Sequence, residues 1–271
     1  MSYRLPEVSL MQVKQEAGTA KNAATFVIEP LSPGFGLTAG NALRRVLLSS
    51  LEGSAITSIR IDGVSHEFSS IKGVRQDVVD IILNLKQVRL SHEGTDSQVI
   101  ILDAKGPKKV TAGDFKCPTG VEIINKDLVV AELNEGGKLL LEATVERGRG
   151  YLPTEMRKEE KLPIGVIAID AAFSPVTKVN FQTENTRVGK MTNFDKLILE
   201  IETDGSVTPQ TALEHSAGIL VDHFGVIAGM PSHATPEAVE TEVAPEDEAA
   251  IVAPKAKKTT KKSAPAESKT K

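Results

Sequence analysis

The chain has 271 residues, of which 40% are hydrophobic, and a formal net charge of −4; at roughly 150 residues per domain this is one large or two modest domains with enough apolar content for a core. One cysteine excludes an intrachain disulfide and a cysteine-rich metal site, and the lack of Trp with only two Tyr argues against a stacking platform for single-stranded nucleic acid. The acidic balance gives no global positive field for DNA, and neither a bilayer-spanning apolar run nor a secretory signal is visible, so a soluble cytoplasmic chain without membrane contact is expected.

In chain order, Ala24–Glu29 reads as a strand, followed by the glycine-rich run Gly34-Phe35-Gly36-Leu37-Thr38-Ala39-Gly40. A helix is predicted over Thr38–Leu51, with Leu43, Val46, Leu47 and Leu51 as its apolar stripe and Arg44 and Arg45 projecting away from it. Such an arginine pair either solubilises the helix or meets a partner. Ala55–Ile61 and Val64–Phe68 flank Asp62-Gly63, which predicts a hairpin. A second helix is predicted from about Val74 to Lys86 on the stripe Val74, Val78, Ile81, Ile82 and Leu85.

Ser97 to Val145 reads as short strands punctuated by Gly and Pro. Arg147-Gly148-Arg149-Gly150 reads as a flexible loop bearing two guanidinium groups, either solvated or part of an interface. Strand signals return at Gly165–Phe173, Val176–Thr183 and Leu197–Glu202. A last helix opens at Thr208 as N-cap with Pro209 in its first turn, and its stripe is Leu213, Ala217, Leu220 and Phe224. From Pro231 onward there are five prolines and no aromatic residue, with an acidic block from Glu237 to Glu248 and then seven lysines against one acid between Lys255 and Lys271. This composition predicts a disordered, two-sign tail at 231–271. The fold class is therefore α+β with a disordered C-terminal tail.

Catalytic constellations are mostly absent from the pattern. The glycine run lacks the Lys-Ser/Thr ending of a P-loop and the full dinucleotide spacing, so a strand-to-helix turn is expected there. Cys117, without a nearby His in sequence, reads as a buried small hydrophobe. His215 and His223 are eight apart on the last helix, too far for a paired ligand set, and Asp77 and Asp80 read as a solvated acidic face. No catalytic residue, metal site or cofactor is expected in this chain.

Three stretches carry a resemblance. Glu29–Lys86 (EPLSPGFGLTAGNALRRVLLSSLEGSAITSIRIDGVSHEFSSIKGVRQDVVDIILNLK), Glu146–Pro153 (ERGRGYLP) and Pro163–Leu213 (PIGVIAIDAAFSPVTKVNFQTENTRVGKMTNFDKLILEIETDGSVTPQTAL) resemble, in the same order, the amino-terminal domain of bacterial RNA polymerase alpha subunits. The likeness covers about Arg4 to Phe224 and is weak over Gln87–Thr144.

The resemblance implies a dimerisation subdomain of sheet plus helices, residues 1–50 and 174–230, interrupted by a mostly β insertion subdomain, 51–173. It implies a homodimer that nucleates assembly of the β and β′ subunits of DNA-directed RNA polymerase, a nucleotidyltransferase, with catalysis outside this chain. Carried over residue by residue, the β-facing set is Gly34, Phe35, Gly36, Arg44, Arg45 and Leu48. The β′-facing set is Lys86, Arg147, Arg149, Asp170, Ser174, Pro175, Arg187, Asp195 and Lys196. The dimer set is Leu43, Leu47, Leu213, Ala217, Leu220 and Phe224. Family members usually continue into a compact helical domain that binds upstream promoter DNA; the composition of 231–271 predicts no such domain, and its lysines either solubilise the chain or make a weak, non-specific contact with upstream DNA. Leu37 stands where the family often has histidine. A homodimeric scaffold of another complex and a phosphate-loop enzyme are the competing readings.

Overall fold

The computed structural model describes residues 11–17, 22–157, 163 and 165–229; the tail reading at 231–271 concerns residues outside this set. In chain order the strands and helices are β1 (Gln12–Ala17), β2 (Ala23–Leu31), α1 (Phe35–Ser49), β3 (Glu52–Ile61), α2 (Val78–Leu85), β4 (Leu90–His92), β5 (Gln98–Lys105), β6 (Lys108–Thr111), β7 (Val121–Ile123), β8 (Val129–Leu133), β9 (Lys138–Arg149), β10 (Tyr151–Leu152), β11 (Val166–Ala168), β12 (Ala171–Ala172), β13 (Val176–Val188), β14 (Met191–Thr203) and α3 (Pro209–Ile227). The class is α+β, as the periodicity predicts.

Two apolar cores form within one compact unit. The first lies on an antiparallel sheet ordered β1-β2-β14-β13. Period-two alternation puts Ala24, Phe26 and Ile28 of β2 on one face, opposite Ile201, Leu199 and Leu197 of β14. Val179 and Phe181 extend the same rows into β13. Leu43 and Leu47 of α1, with Ala212 and Leu213 of α3, cover this face. Each fully buried Leu, Ile, Val or Phe side chain here contributes about 1.5–3 kcal/mol relative to exposure.

The second core fills the strand-rich middle. Its sheet runs β5-β9-β3-β4-β7, with β11 also on β3. In β9, Leu139, Leu141, Ala143 and Val145 are buried in strict alternation, and Val78, Ile81 and Leu85 of α2 close over the same core. A small third cluster, Ala55, Ala171 and Phe173, lies beside them. Here the cross-strand partners Gly53 and Gly148 admit Phe173. A Cβ at Gly53 would sit 1.8 Å from the Phe173 carbonyl oxygen, and one at Gly148 2.8 Å from its ring.

Several elements differ from expectation, each for a tertiary reason. No hairpin forms at Asp62-Gly63: β3 pairs with β9 and β11, Asp62 N–H donates to Leu140 O, and Val64–Phe68 is irregular. Helix α1 begins at Phe35 rather than Thr38, and Leu51 is buried just beyond its end. Helix α2 begins only at Val78, because Val74 bridges to Leu133 and Arg75 N–H donates to Glu132 O. Both Asp77 and Asp80 are exposed, as read, and Asp77 in addition caps the helix, accepting from the Asp80 backbone N–H at 2.8 Å. Arg147–Arg149 is the end of β9, not a flexible loop. Gly165–Phe173 contributes two short strands instead of one, and β1 has no counterpart in the sequence reading. Cys117 is exposed, not buried, although partial burial of its thiol raises the pKa. The Thr208 cap with Pro209 in the first turn forms as read.

Gly53→Ala is expected to lower the unfolding free energy by about 1–3 kcal/mol, because the new methyl collides with backbone that has no other place to go. Urea titration followed by circular dichroism checks this, and an unchanged midpoint would mean that the Phe173 segment moves aside freely.

Candidate assembly surfaces

Helix α1 divides its residues by face. Gly36, Gly40, Leu43 and Leu47 are buried, while Arg44 and Arg45 are exposed beside Phe35, Leu37 and Leu48, which are 55%, 56% and 37% exposed. Among the described residues neither arginine has an ion-pair partner. The apolar side has done its folding work, and what remains outward is a cationic surface edged with hydrophobic side chains. Such a surface suits a protein partner able to supply carboxylates and apolar cover.

The turn leading into α1 holds no open anion site. Gly34 adopts a left-handed φ of 81° and offers no side-chain cap. Instead Asp195 Oδ2, from β14, accepts from the Gly36 N–H at 3.0 Å. A carboxylate of the protein thus occupies the helix terminus where a phosphate would bind.

A second polar region lies on the strand-rich middle. Lys86 Nζ meets Asp170 Oδ2 at 2.9 Å, and Thr154 N–H donates to Asp170 Oδ1 at 2.8 Å. The Thr154 hydrogen bond and then the lysine lower the Asp170 pKa to about 2, so this carboxylate stays ionised throughout the neutral range. Arg147 Nη2 contacts Glu52 Oε2 at 2.8 Å and Arg149 Nε donates to Glu52 Oε1 at 3.0 Å. Hydrogen bonding from Arg149, with the charges of both arginines, holds the Glu52 carboxyl below its usual range. The half-exposed setting of these groups makes them small contributors to stability; their effect is to fix side-chain direction. Tyr151, 62% exposed, shares a shallow cleft with Lys86, Arg89 and Asp170.

The β′-facing set named from the resemblance is thus distributed over separate elements. Lys86, Arg147, Arg149 and Asp170 form the ion-paired region just described. Arg187, Asp195 and Lys196 belong to β13 and β14: Arg187 Nε donates to Gly189 O at 2.8 Å and Lys196 pairs with Glu184 at 3.1 Å. Ser174 is half-buried, and Pro175 is buried with its carbonyl accepting from Asp204 N–H. Glu52, Thr154 and Tyr151 were absent from the sequence reading. The charge of Glu52 was visible, but its link to both arginines depends on the β3–β9 register, where it faces Arg149.

On α3 exposure rises along the helix. Leu213 is buried, Ala217 and Leu220 pack partly against the first core, and Phe224 is 59% exposed. Val221, Val226 and Ile227 extend the uncovered apolar surface to the helix end. An apolar groove lined by Val13, Phe26, Ile28, Leu43, Leu213 and Ala217 opens between β1, β2, α1 and the start of α3. Leu43 and Leu47 from the dimer set are buried in the chain's own core. His215 and His223 are exposed on α3. Among the described residues no group of three or more His, Cys, Asp or Glu side chains is placed to hold a metal ion, and no helix is long and apolar enough to cross a membrane.

Comparison with known proteins gives these surfaces a context. The family model of the RNA polymerase Rpb3/RpoA insert domain matches residues 59–174. The chain is 51% identical over 224 residues to a DNA-directed RNA polymerase subunit alpha of Carboxydothermus hydrogenoformans, covering 83% of this chain and 71% of that one. It is 50% identical over 209 residues to the corresponding subunit of Clostridium acetobutylicum, covering 77% of this chain and 66% of that one. Half-identity over more than three quarters of the chain, together with the insert-domain match, means that the chain belongs to the DNA-directed RNA polymerase alpha subunit family.

Proposed function

We propose that this chain is an assembly subunit of DNA-directed RNA polymerase, a nucleotidyltransferase whose catalytic residues lie in other chains. Two copies pair, and the pair forms the platform on which β and β′ assemble. The observation that carries the pairing is the uncovered apolar end of α3, with the apolar groove that the start of the same helix forms with β1, β2 and α1 in support. Burial of Phe224 and its neighbours against a second copy covers surface that the single chain leaves in water. Residues 1–50 with 174–230 then act as the dimerisation subdomain and 51–173 as the insertion; the separate apolar cores support this division.

The β subunit docks on α1 through Arg44, Arg45 and Leu48, with Gly34, Phe35 and Gly36 shaping the approach. The β′ subunit meets the Lys86, Arg147, Arg149 and Asp170 region and the β13–β14 strands at Arg187 and Lys196. Support comes from the division of labour on α1, whose buried face needs no arginines. The tail lysines between Lys255 and Lys271 add a weak attraction for DNA of any sequence by counterion release.

Phe224→Asp should leave the single chain folded, because Phe224 is already largely in solvent, and convert the dimer to monomer by light scattering. An unchanged dimer mass removes this end of α3 from the interface. Arg45→Ala should shift stability by no more than about 0.5 kcal/mol yet weaken capture of purified β by roughly tenfold, as expected for an arginine anchor. Normal capture returns Arg45 to a solubilising role. A chain ending at Met230 should assemble polymerase normally and lose only a DNA attraction that vanishes at raised salt; failure to assemble, or a full-length chain that prefers one upstream sequence, contradicts this role for the tail.

A further inference from the structure

The first turn of an α-helix leaves backbone N–H groups without partners inside the helix, and these are ordinarily met by a Ser, Thr, Asp or Asn just before it. Helix α1 lacks that residue: Gly34 stands at the cap position, and no acidic side chain lies in the first turn. The acceptor comes from 159 residues away, where Asp195 Oδ2 takes the Gly36 N–H at 3.0 Å.

Three independent features build this contact. The β14–β2 pairing shifts register between Asp195 and Leu197, an irregularity of the kind that re-aims a strand side chain. Thr183 of β13 closes the same spot, so that a Cβ on Gly36 would lie 3.0 Å from Asp195 Oδ2 and 3.1 Å from Thr183 Cγ2. One turn on, a Cβ on Gly40 would meet the Phe181 ring at 2.5 Å. The glycine edge of α1 is thus seated on β13 and β14, and the carboxylate holds its N-terminal end. The neighbouring residue, Lys196, turns instead to Glu184 at 3.1 Å.

We propose that Asp195 is a positioning residue for α1: its carboxylate fixes the start and tilt of the helix that presents Arg44, Arg45 and Leu48, so that it acts on β docking through α1 rather than by touching β′. This rests on the reading of α1 as the β-facing element. It reassigns one residue that the family resemblance places on the β′ side, and it links the two docking surfaces physically. Loosening the β13–β14 strands at Asp195 loosens α1.

The test uses the full-length dimer with purified β and β′. Asp195→Ala should speed hydrogen exchange at the Gly36 and Leu37 amides and weaken β capture by about fivefold, the loss typical of a helix cap. Asp195→Asn keeps an acceptor oxygen and should restore both readouts to within about twofold. The double variant Asp195→Ala/Arg45→Ala should bind β no worse than Arg45→Ala by more than about twofold, because both act through one element. Gly36→Ala, whose methyl displaces the carboxylate, should reproduce the Asp195→Ala effects and serves if that variant does not fold. Unchanged Gly36 exchange with normal β capture and impaired β′ joining in Asp195→Ala overturns the proposal and leaves Asp195 as a direct β′ contact. Normal β capture by Arg45→Ala overturns instead the reading of α1 on which it rests.

Discussion

Helix α1 sits close to β13 and β14 because Gly36 and Gly40 present hydrogen where any other residue would present a side chain. That close approach sets the positions of the groups around it. It brings Leu43 and Leu47 onto Phe26, Leu197 and Leu199, it allows Asp195 to reach the first turn, and it turns Arg44 and Arg45 to solvent. A wider separation would lose dispersion contacts along the whole interface, since a gap too small for water simply leaves atoms without neighbours. The remaining elements build outward from this seat: α3 closes the open side of the first core, and the chain leaving α1 passes within two residues into β3 and the second core.

The same logic of close approach operates where the two cores adjoin. Gly53 and Gly148 oppose each other across β3 and β9 and give room to Phe173, just before β13 returns the chain to the first sheet. On the water-facing side of these strands Glu52 binds both arginines, and Lys86 at the end of α2 binds Asp170 between β11 and β12. Ion pairs in this setting add little to stability. They hold long side chains in one direction, which lowers the entropy lost when a partner docks on them.

Exposed apolar side chains occur on several elements, Phe68, Met156 and Met191 among them, but two groups stand out: Phe35, Leu37 and Leu48 on α1, and Val221, Phe224, Val226 and Ile227 at the end of α3. The start of α3 borders a separate groove lined with core-type side chains. A chain of this family that remained a lone monomer would leave those groups in water. In the proposed pairing, burial of these groups would extend the hydrophobic organisation of the fold into the complex.

Much of this was legible in the residues. The stripe Leu43, Val46, Leu47 located α1, Val78, Ile81 and Leu85 located α2, and Thr208-Pro209 marked the start of α3, because these signals are set by neighbours three or four positions away. Alternation revealed β2, β13 and β14, and the long strings such as GNALRR carried the family likeness. The hairpin at Asp62-Gly63, the loop assigned to Arg147–Arg149 and the burial of Cys117 were misread for a shared reason: each depends on which distant strand lies alongside. Glu52 between two arginines and Asp195 at the start of α1 are likewise pairings between groups that chain order does not bring together. Local periodicity determined the elements and the residues they expose. Strand register and the closeness of backbone at a few glycines, which exist only after the chain has folded back on itself, decided which charges meet and therefore what each surface presents.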